Sequence, residues 1–357
     1  MPVRNAMPYL RECLESILAQ TTNDWELLAV NDHSTDDSKA ILQEFSKKDK
    51  RVQVFDNQEK GIIHALRLAY AHSRGAYLTR MDADDIMPPE KLARLRDLLL
   101  ENGRGHVATG MVRYFAADGV KDGYQKYENW LNDLTHRRAN FTDIYKECVI
   151  PSPCWMLHRE DLEACDAFRA NRYPEDYDLC FRMYEAGLKV VTSDYTLHLW
   201  RDHDTRASRN DDNYADNRFL NLKLDYFLKL ERNLSVSSDV LQTSDEYSEL
   251  TPNSLDILEM SDEADERALV IWGAGKKGKM MAKYLIEKEV KFHWVCENDR
   301  KIGVDIYGEK LHSPKLIPNL YQPQIIIAVA GEESQKEIIT QLNNFKLKKG
   351  EGWFLFC

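Results

Sequence analysis

The chain has 357 residues, 43% hydrophobic and 30% charged, the composition of a folded globular protein with room for two domains. Its 48 basic and 59 acidic residues leave a net charge of -11, which argues against bulk nucleic-acid binding, because a phosphate backbone calls for an excess of Lys and Arg. Seven scattered cysteines without a C-x-x-C pair fit reduced thiols in a cytoplasmic protein better than a disulfide framework or a zinc site. No signal peptide is seen and no apolar run approaches the roughly 20 residues of a spanning helix, so any membrane contact is expected to be peripheral.

In chain order, "WELLAVND" reads as a strand, Ser38 to Lys48 as a helix, "RVQVFDN" as a strand, "GIIHALRLAYAHS" as a helix and "GAYLTRMD" as a strand. This alternation predicts an α/β fold with a largely parallel sheet and acidic residues at the carboxyl ends of strands, where such sheets bind ligands. A helix over Pro89–Leu100 follows, with Pro early, where its missing N–H costs little. "HVATGMVRYF" resumes the sheet. Residues 118–147 are polar and aromatic, without a clear period. "CVIPSPCWMLHRE" has buried character, "PEDYDLCFRMYEAGL" reads as a helix ending at Gly187, and another helix is expected near Tyr214–Leu230.

Between Ser238 and Glu266 lie ten acids and no Lys or Arg, mixed with Ser, Thr and Pro. Such a stretch reads as a solvated linker, with at most a short helix at "SLDILEM". The expected division is residues 1–230, a linker over 231–267, and a second domain over 268–357. There, strand "ALVIW" leads into Gly273-Ala274-Gly275 and Gly278, a helix follows, and strand "KFHWVC" ends at Glu297 and Asp299. "QIIIAVA" and "GWFLFC" complete a small α/β sheet.

Chemistry concentrates in three acidic clusters. "RMDADDIMPPEKL" places Asp82, Asp84 and Asp85 within four residues at a strand end. They read either as a solvated turn with a helix cap or as a site for a divalent cation shared with a diphosphate, since Mg²⁺ or Mn²⁺ takes one or two protein carboxylates and fills its remaining positions with phosphate and water. An EF-hand reading is poor, because the glycine at its sixth position and the Glu at its twelfth are absent. Upstream, "LLAVNDHSTDDS" ends a strand at Asn31-Asp32, where a carboxylate can meet a nucleobase or ribose while Ser34, Thr35 or Asp36 caps a helix. Downstream, Glu175-Asp176 open an amphipathic helix, as a cap or as a general base whose proton affinity is raised by its acidic neighbour.

Together and in this order, "MPVRNAMPYLRECLESILAQTTNDWELLAVNDHSTDDS", "GAYLTRMDADDIMPPEKL", "PSPCWMLHRE" and "PEDYDLCFRMYEAGLKV" resemble the family 2 glycosyltransferases of the GT-A fold, over about residues 1–230. The resemblance implies a GT-A nucleotide-sugar-binding sheet flanked by helices. It also implies inverting, hexosyltransferase-type transfer of a sugar from a nucleotide-sugar donor to a glycan or lipid-linked acceptor, in bacterial surface glycan synthesis. By the same match Pro2, Val3 and Arg4 form the base-binding segment, Asp32 touches the base, and Asp82 contacts the ribose or the metal. Asp84 holds Mg²⁺ or Mn²⁺, Asp176 is the catalytic base, and His203 is a further metal ligand facing the diphosphate, with Arg206 and Arg209 near phosphate. Arg67 is carried over as donor-binding although it lies one place beyond the usual basic position, where Leu66 stands. His198 and Trp200 are expected in the core or the acceptor wall. Three departures stand out: the apolar strand that normally precedes "PVRN" is missing or nearly so, Arg4 replaces an aromatic residue, and His33 replaces a glycine. His tolerates positive φ better than most residues, so that turn can survive.

The second domain resembles the small Rossmann-like domains attached to bacterial sugar-modifying enzymes, which bind nucleotides or sugar nucleotides. "GAGKKG" follows a strand and opens a helix, with Glu297 about 20 residues on, so Gly273, Gly275, Gly278 and Glu297 form a candidate phosphate loop and ribose contact. An assembly module with an empty loop is the plain alternative. Two other functions stay open: a nucleotide-sugar-binding protein without activity, and a nicotinamide-dependent oxidoreductase acting through the GAGKKG segment.

Overall fold

A computed structural model describes residues 1–169, 171–206, 212–232 and 267–357. The chain divides into two compact units, Met1–Leu222 and Lys223–Cys357. This division falls earlier than the boundary expected at residue 230. The acidic stretch expected as a linker lies largely outside the described residues.

In the first unit, strands β1 (Pro2–Val3), β2 (Leu27–Asn31) and β3 (Val52–Asp56) form a parallel sheet. The strand that the sequence suggested was nearly missing persists as two residues, Pro2 opposite Val30 and Val3 opposite Asn31. Every residue of β2 is buried, as expected of a strand covered on both faces. Helix α1 (Leu10–Leu18) contributes Leu10, Cys13, Leu14 and Ile17 to the core, and helix α2 (Ser38–Lys48) contributes Ile41, Leu42 and Phe45, each set one helical stripe. Helix α3 (Ile62–His72) buries Ile63, Ala65, Leu66 and Ala69.

A second sheet has the order β4 (Tyr77–Thr79), β6 (Trp155–His158), β5 (His106–Phe115), β7 (Lys189–Arg201). Strand β5 runs parallel to β7, but β6 is antiparallel to both its neighbours, so the sheet is mixed rather than largely parallel. Helix α4 (Lys91–Asn102) starts after both prolines, slightly later than expected, and stops at Gly103 with φ 74°. Residues 118–147 contain a helix α5 (Asp122–His136) and a 3₁₀ turn at Asn140–Asp143. Two short helices, α6 (Arg159–Ala164) and α7 (Glu175–Glu185), complete the surroundings of the acidic residues.

Helix α8 (Asp216–Arg232) includes the point of division. In the second unit its Phe227 ring meets the edges of Phe354 and Phe356, and the buried Lys223 ammonium donates to the Phe356 carbonyl at 3.1 Å. The sheet there runs β10 (Asp305–Ile306), β11 (Glu309–His312), β9 (His293–Val295), β8 (Leu269–Trp272), β12 (Gln324–Ile327), β13 (Trp353–Leu355). All neighbours pair in parallel except the β10–β11 hairpin. The first strand, β8, is central, and successive strands pass first to one side and then to the other, so the order reverses beside it. No helix among the described residues is long and apolar enough to cross a membrane.

Candidate active site

The acidic run after β4 is pinned along β7: Ile86 and Leu199 exchange backbone N–H···O bonds of 3.1 Å each. This register gives each acid a different environment. Asp85 is buried. Its carboxylate accepts from the Arg201 N–H at 2.8 Å and from His198 Nε2 at 2.9 Å. Lys91 Nζ lies 3.3 Å from His198 Nδ1 and has only protons to offer, so the ring accepts there and donates from Nε2 to Asp85. Burial raises the Asp85 carboxyl well above the ordinary range, with Asp84 and Asp82 adding to it, while burial and Lys91 push His198 well below its own. Asp85 and His198 are therefore core polar groups. The core placement expected as one option for His198 is observed.

Asp84 faces outward from this core. Its Oδ2 lies 2.9 Å from His203 Nε2, and its carbonyl accepts from Arg201 Nε at 2.7 Å. Burial tends to raise the Asp84 carboxyl, but the His203 hydrogen bond and the nearby Arg206 charge outweigh it and hold the group below its ordinary value. His203 is kept in place by Thr205 Oγ1 at 2.9 Å and by the Tyr9 ring at 4.6 Å between centroids. Arg206 sits over Trp200, 5.3 Å from its ring centre, and Trp200 stacks on Tyr114 at 5.0 Å. Arg209 lies outside the described residues.

Asp82 pairs with Arg80, Oδ1 to guanidinium at 3.1 Å. Arg80 also reaches Glu175 Oε1 at 2.9 Å, and Tyr214 donates its hydroxyl to Glu175 Oε2 at 2.7 Å. Burial works against the Arg80 charge, but Asp82 and Glu175 more than offset it and raise the guanidinium pKa further. The three neighbouring acids thus have partners within the protein: Arg80 for Asp82, His203 for Asp84, and His198 with the Arg201 N–H for Asp85. The pairing relieves their mutual repulsion within the fold. It also gives Asp82 a counter-ion contact that the expected ribose or metal role did not foresee.

Asp176 is half-buried in the first turn of α7, where Oδ1 accepts its neighbour's Tyr177 N–H at 2.8 Å. Burial and the adjacent Glu175 push its carboxyl up to about 7. A carboxylate so tuned is half-ionised near neutral pH and able to take a proton there.

The residues assigned to the donor base are arranged more tightly than expected. Asp32 is buried and accepts Asn57 Nδ2 at 2.7 Å and the Gly61 N–H at 2.9 Å, so its carboxylate ties β2 to the start of α3. Its own N–H donates to the Val3 carbonyl at 2.8 Å, which joins the Pro2–Val3 strand to the same corner; Arg4 beside it is exposed. His33 adopts φ 55°, the left-handed conformation that the replaced glycine would require. Arg67 is corrected. Its guanidinium is spent on the backbone carbonyls of Phe168 and Arg169, at 2.8 Å for the former, and anchors α3 to that turn instead of serving a ligand.

Among the described residues no three His, Cys, Asp or Glu side chains converge into a closed metal cage. The Asp84–His203 pair nevertheless fits Mg²⁺ or Mn²⁺ of the kind that binds with a diphosphate: one carboxylate oxygen, one imidazole nitrogen, and the remaining positions left to phosphate and water.

In the second unit Gly273 has φ 130°, and its carbonyl accepts Trp294 Nε1 at 2.8 Å. A Cβ on Gly278 would lie 2.0 Å from that carbonyl oxygen, so the close approach of loop and helix α9 (Lys276–Glu287) demands glycine. Gly275 caps α9 in extended conformation and faces open space. Glu297 is exposed and accepts Gln341 Nε2 at 2.6 Å. Tyr284 and Lys288 have the spacing of an oxidoreductase Tyr–Lys pair, but they lie toward the far end of α9 from the loop, and the Tyr284 hydroxyl donates to Asp225.

Sequence reading missed Arg80, Tyr214 and Tyr114. Arg80 stood directly before the acids, and a cation next to a cluster of carboxylates was the available signal.

The description "Glycosyl transferase family 2" belongs to the family whose sequence profile matches residues 1–165. Glycosyltransferase GlyG of Streptococcus pneumoniae is 27% identical over 208 residues, covering 56% of this chain and 69% of that protein. An uncharacterized glycosyltransferase of Haemophilus influenzae is 34% identical over 178 residues, covering 48% of this chain and 50% of the other. Among solved structures, a mannosyltransferase of Pyrobaculum calidifontis in complex with GDP-Man and Mn²⁺ superimposes with a TM-score of 0.47 at 20% identity, covering 64% of this chain and 61% of that one. The fold itself is mixed α/β, with sheets flanked by helices. Residues 1–165, within the first unit, thus match glycosyl transferase family 2.

Proposed function

We propose that the first unit transfers a sugar, with inversion at the anomeric carbon, from a nucleotide-sugar donor to an acceptor hydroxyl in bacterial surface glycan synthesis. The observation that carries this reading is Asp176: a half-buried carboxylate tuned to about 7, next to a Glu175 that Arg80 links to the Asp82 side of the acidic loop. The acceptor oxygen attacks the anomeric carbon on the face opposite the diphosphate and forms the new C–O bond as the bond to phosphate breaks. Asp176 takes the acceptor's proton, a contribution of about 10²–10⁴-fold. Asp84 and His203 would hold Mg²⁺ or Mn²⁺, which when bound neutralises the charge growing on the leaving diphosphate. Asp32 and the Pro2–Val3 strand form the corner assigned to the base, and Trp200 with Tyr114 offers an aromatic wall suited to a sugar ring.

The second unit is proposed as a separate module with an intact glycine loop, holding a nucleotide weakly or serving assembly, without redox chemistry. The test is calorimetric titration of UDP-, GDP- and dTDP-sugars with and without Mn²⁺, followed by NMR assignment of the anomeric configuration of the product. Donor binding that ignores Mn²⁺, or a product of retained configuration, would overturn the reading.

A further inference from the structure

The buried guanidinium of Arg80 makes contacts that the proposed chemistry leaves unused. It joins Asp82, at the mouth of the acidic loop, to Glu175, 95 residues later at the start of α7. Glu175 is itself buried and holds a second partner, the Tyr214 hydroxyl. Its two carboxylate oxygens are therefore both engaged, one by Arg80 and one by Tyr214. The adjacent Asp176 accepts only the Tyr177 N–H among the hydrogen bonds described for its carboxylate. Two neighbouring acids have been given unequal surroundings: one is locked, and the other is left to react.

We propose that Arg80 is a positioning residue for sugar transfer, a buried latch that holds the first turn of α7 against the acidic loop through Glu175 and so fixes Asp176 where it meets the acceptor hydroxyl. This inference rests on the glycosyltransferase reading of the first unit. Arg suits the task because its planar, permanently charged fork serves two carboxylates in different directions, which a lysine's single ammonium does less well. The arrangement makes a distinct functional statement. Apart from Asp82, no residue assigned to the donor or the metal is among the described partners of Arg80, so loss of the latch should harm turnover far more than donor binding.

The latch also sets the electrostatics around the base. The groups facing Asp176 are Glu175 on its own helix, Arg80 and Asp82 from the acidic loop, Tyr214 from the 3₁₀ turn Asp212–Tyr214, Tyr127 from α5 and Cys148 from the loop before β6. Arg80 is the permanent cation among them and favours the ionised base.

The test uses the full chain carrying Arg80→Met, Arg80→Lys, Glu175→Gln and the Arg80→Met/Glu175→Gln double variant. Each is assayed with whichever UDP-, GDP- or dTDP-sugar the wild type turns over, beside calorimetric Kd values for the matching nucleoside diphosphate with Mn²⁺. A misplaced reacting group costs on the order of 10²-fold. Arg80→Met is therefore expected to lose about 10²-fold in kcat while the Kd stays within about threefold, and the rising limb of its pH–rate profile should move to higher pH. Arg80→Lys, which keeps the charge, should restore the position of that limb and part of the rate. The double variant should be no worse than the worse single variant, because both break one latch. An unchanged kcat, or a Kd weakened in step with the rate, would overturn the proposal and make Arg80 a structural or donor-binding residue. Should Arg80→Met fail to fold, Arg80→Lys and Glu175→Gln decide by the same readouts. If the wild type turns over no donor, the glycosyltransferase reading fails separately, and hydrogen exchange decides the latch. Unaltered protection of residues 175–179 in Arg80→Lys and Glu175→Gln would then overturn it.

Discussion

His203 Nε2 meets the Asp84 carboxylate at 2.9 Å, across 119 residues of sequence, where the end of β7 passes the acidic loop after β4. The contact brings together a carboxylate oxygen and an imidazole, and it leaves Asp84, unlike Asp82 or Asp85, outside both the Arg80 pair and the core. Asp85 belongs to the core and Asp82 to Arg80.

Asp84→Ala is expected to lower metal-dependent donor turnover by on the order of 10²–10³-fold, the scale seen when one electrostatic stabiliser is removed from a reaction centre. His203→Ala should weaken Mn²⁺ binding in the presence of nucleoside diphosphate with a smaller loss of rate. Both are read by adding Mn²⁺ back to chelator-treated protein. Full activity of Asp84→Ala in a chelating buffer would disprove the assignment.

Asp176 yields two linked expectations. Turnover should rise with pH through about 7, as the base loses its proton, and Asp176→Asn should retain donor binding while losing about 10²–10⁴-fold in kcat. For stability the sign runs the other way. The folded carboxyl holds its proton more tightly than the unfolded one, so its contribution is present below the ordinary carboxylate range and lost as pH rises through about 7. Asp176→Asn should therefore melt above the wild type at pH 8 and close to it at pH 5, as followed by circular dichroism. A lower melting temperature at pH 8 would show that the charged form is welcome in the fold.

Removing the buried acid Asp85 should damage the fold first. Asp85→Ala strands the His198 Nε2–H and the Arg201 N–H in a dry interior, at about 1–3 kcal/mol for each unsatisfied group. Urea unfolding should show the loss. A midpoint unchanged from the wild type would mean that water replaces the carboxylate.

Gly278→Ala tests the second unit. The added Cβ would meet the Gly273 carbonyl oxygen at 2.0 Å, so loop and helix must separate, at about 1–3 kcal/mol. The buried Trp272 and Trp294 flank this region and report it through their fluorescence during denaturation. Wild-type stability in the variant would show that the loop yields freely.

Local spacing carried much of this protein's organisation. The stripe Ile41, Leu42 and Phe45 marked helix α2 with both its ends, the uninterrupted apolar run of β2 marked a covered strand, and the acids at strand ends marked a candidate site. These signals survive in one dimension because they depend on residues a few positions apart. Helix α5 was not legible, because its buried residues are few, Leu131, Leu134 and Thr135, in a stretch otherwise polar and aromatic. Nor was the 13-residue strand β7, whose middle, Thr192 to Tyr195, is polar and half to fully exposed. What separated Asp82, Asp84 and Asp85 into three roles was decided only by packing. In sequence they are one cluster of like charges; in the fold each meets a different partner from far along the chain or from the strand end beside it, Arg80 with Glu175, His203, and His198. An ionisable group's behaviour is set by its burial and by the charges within a few ångströms, and sequence distance does not specify either of them.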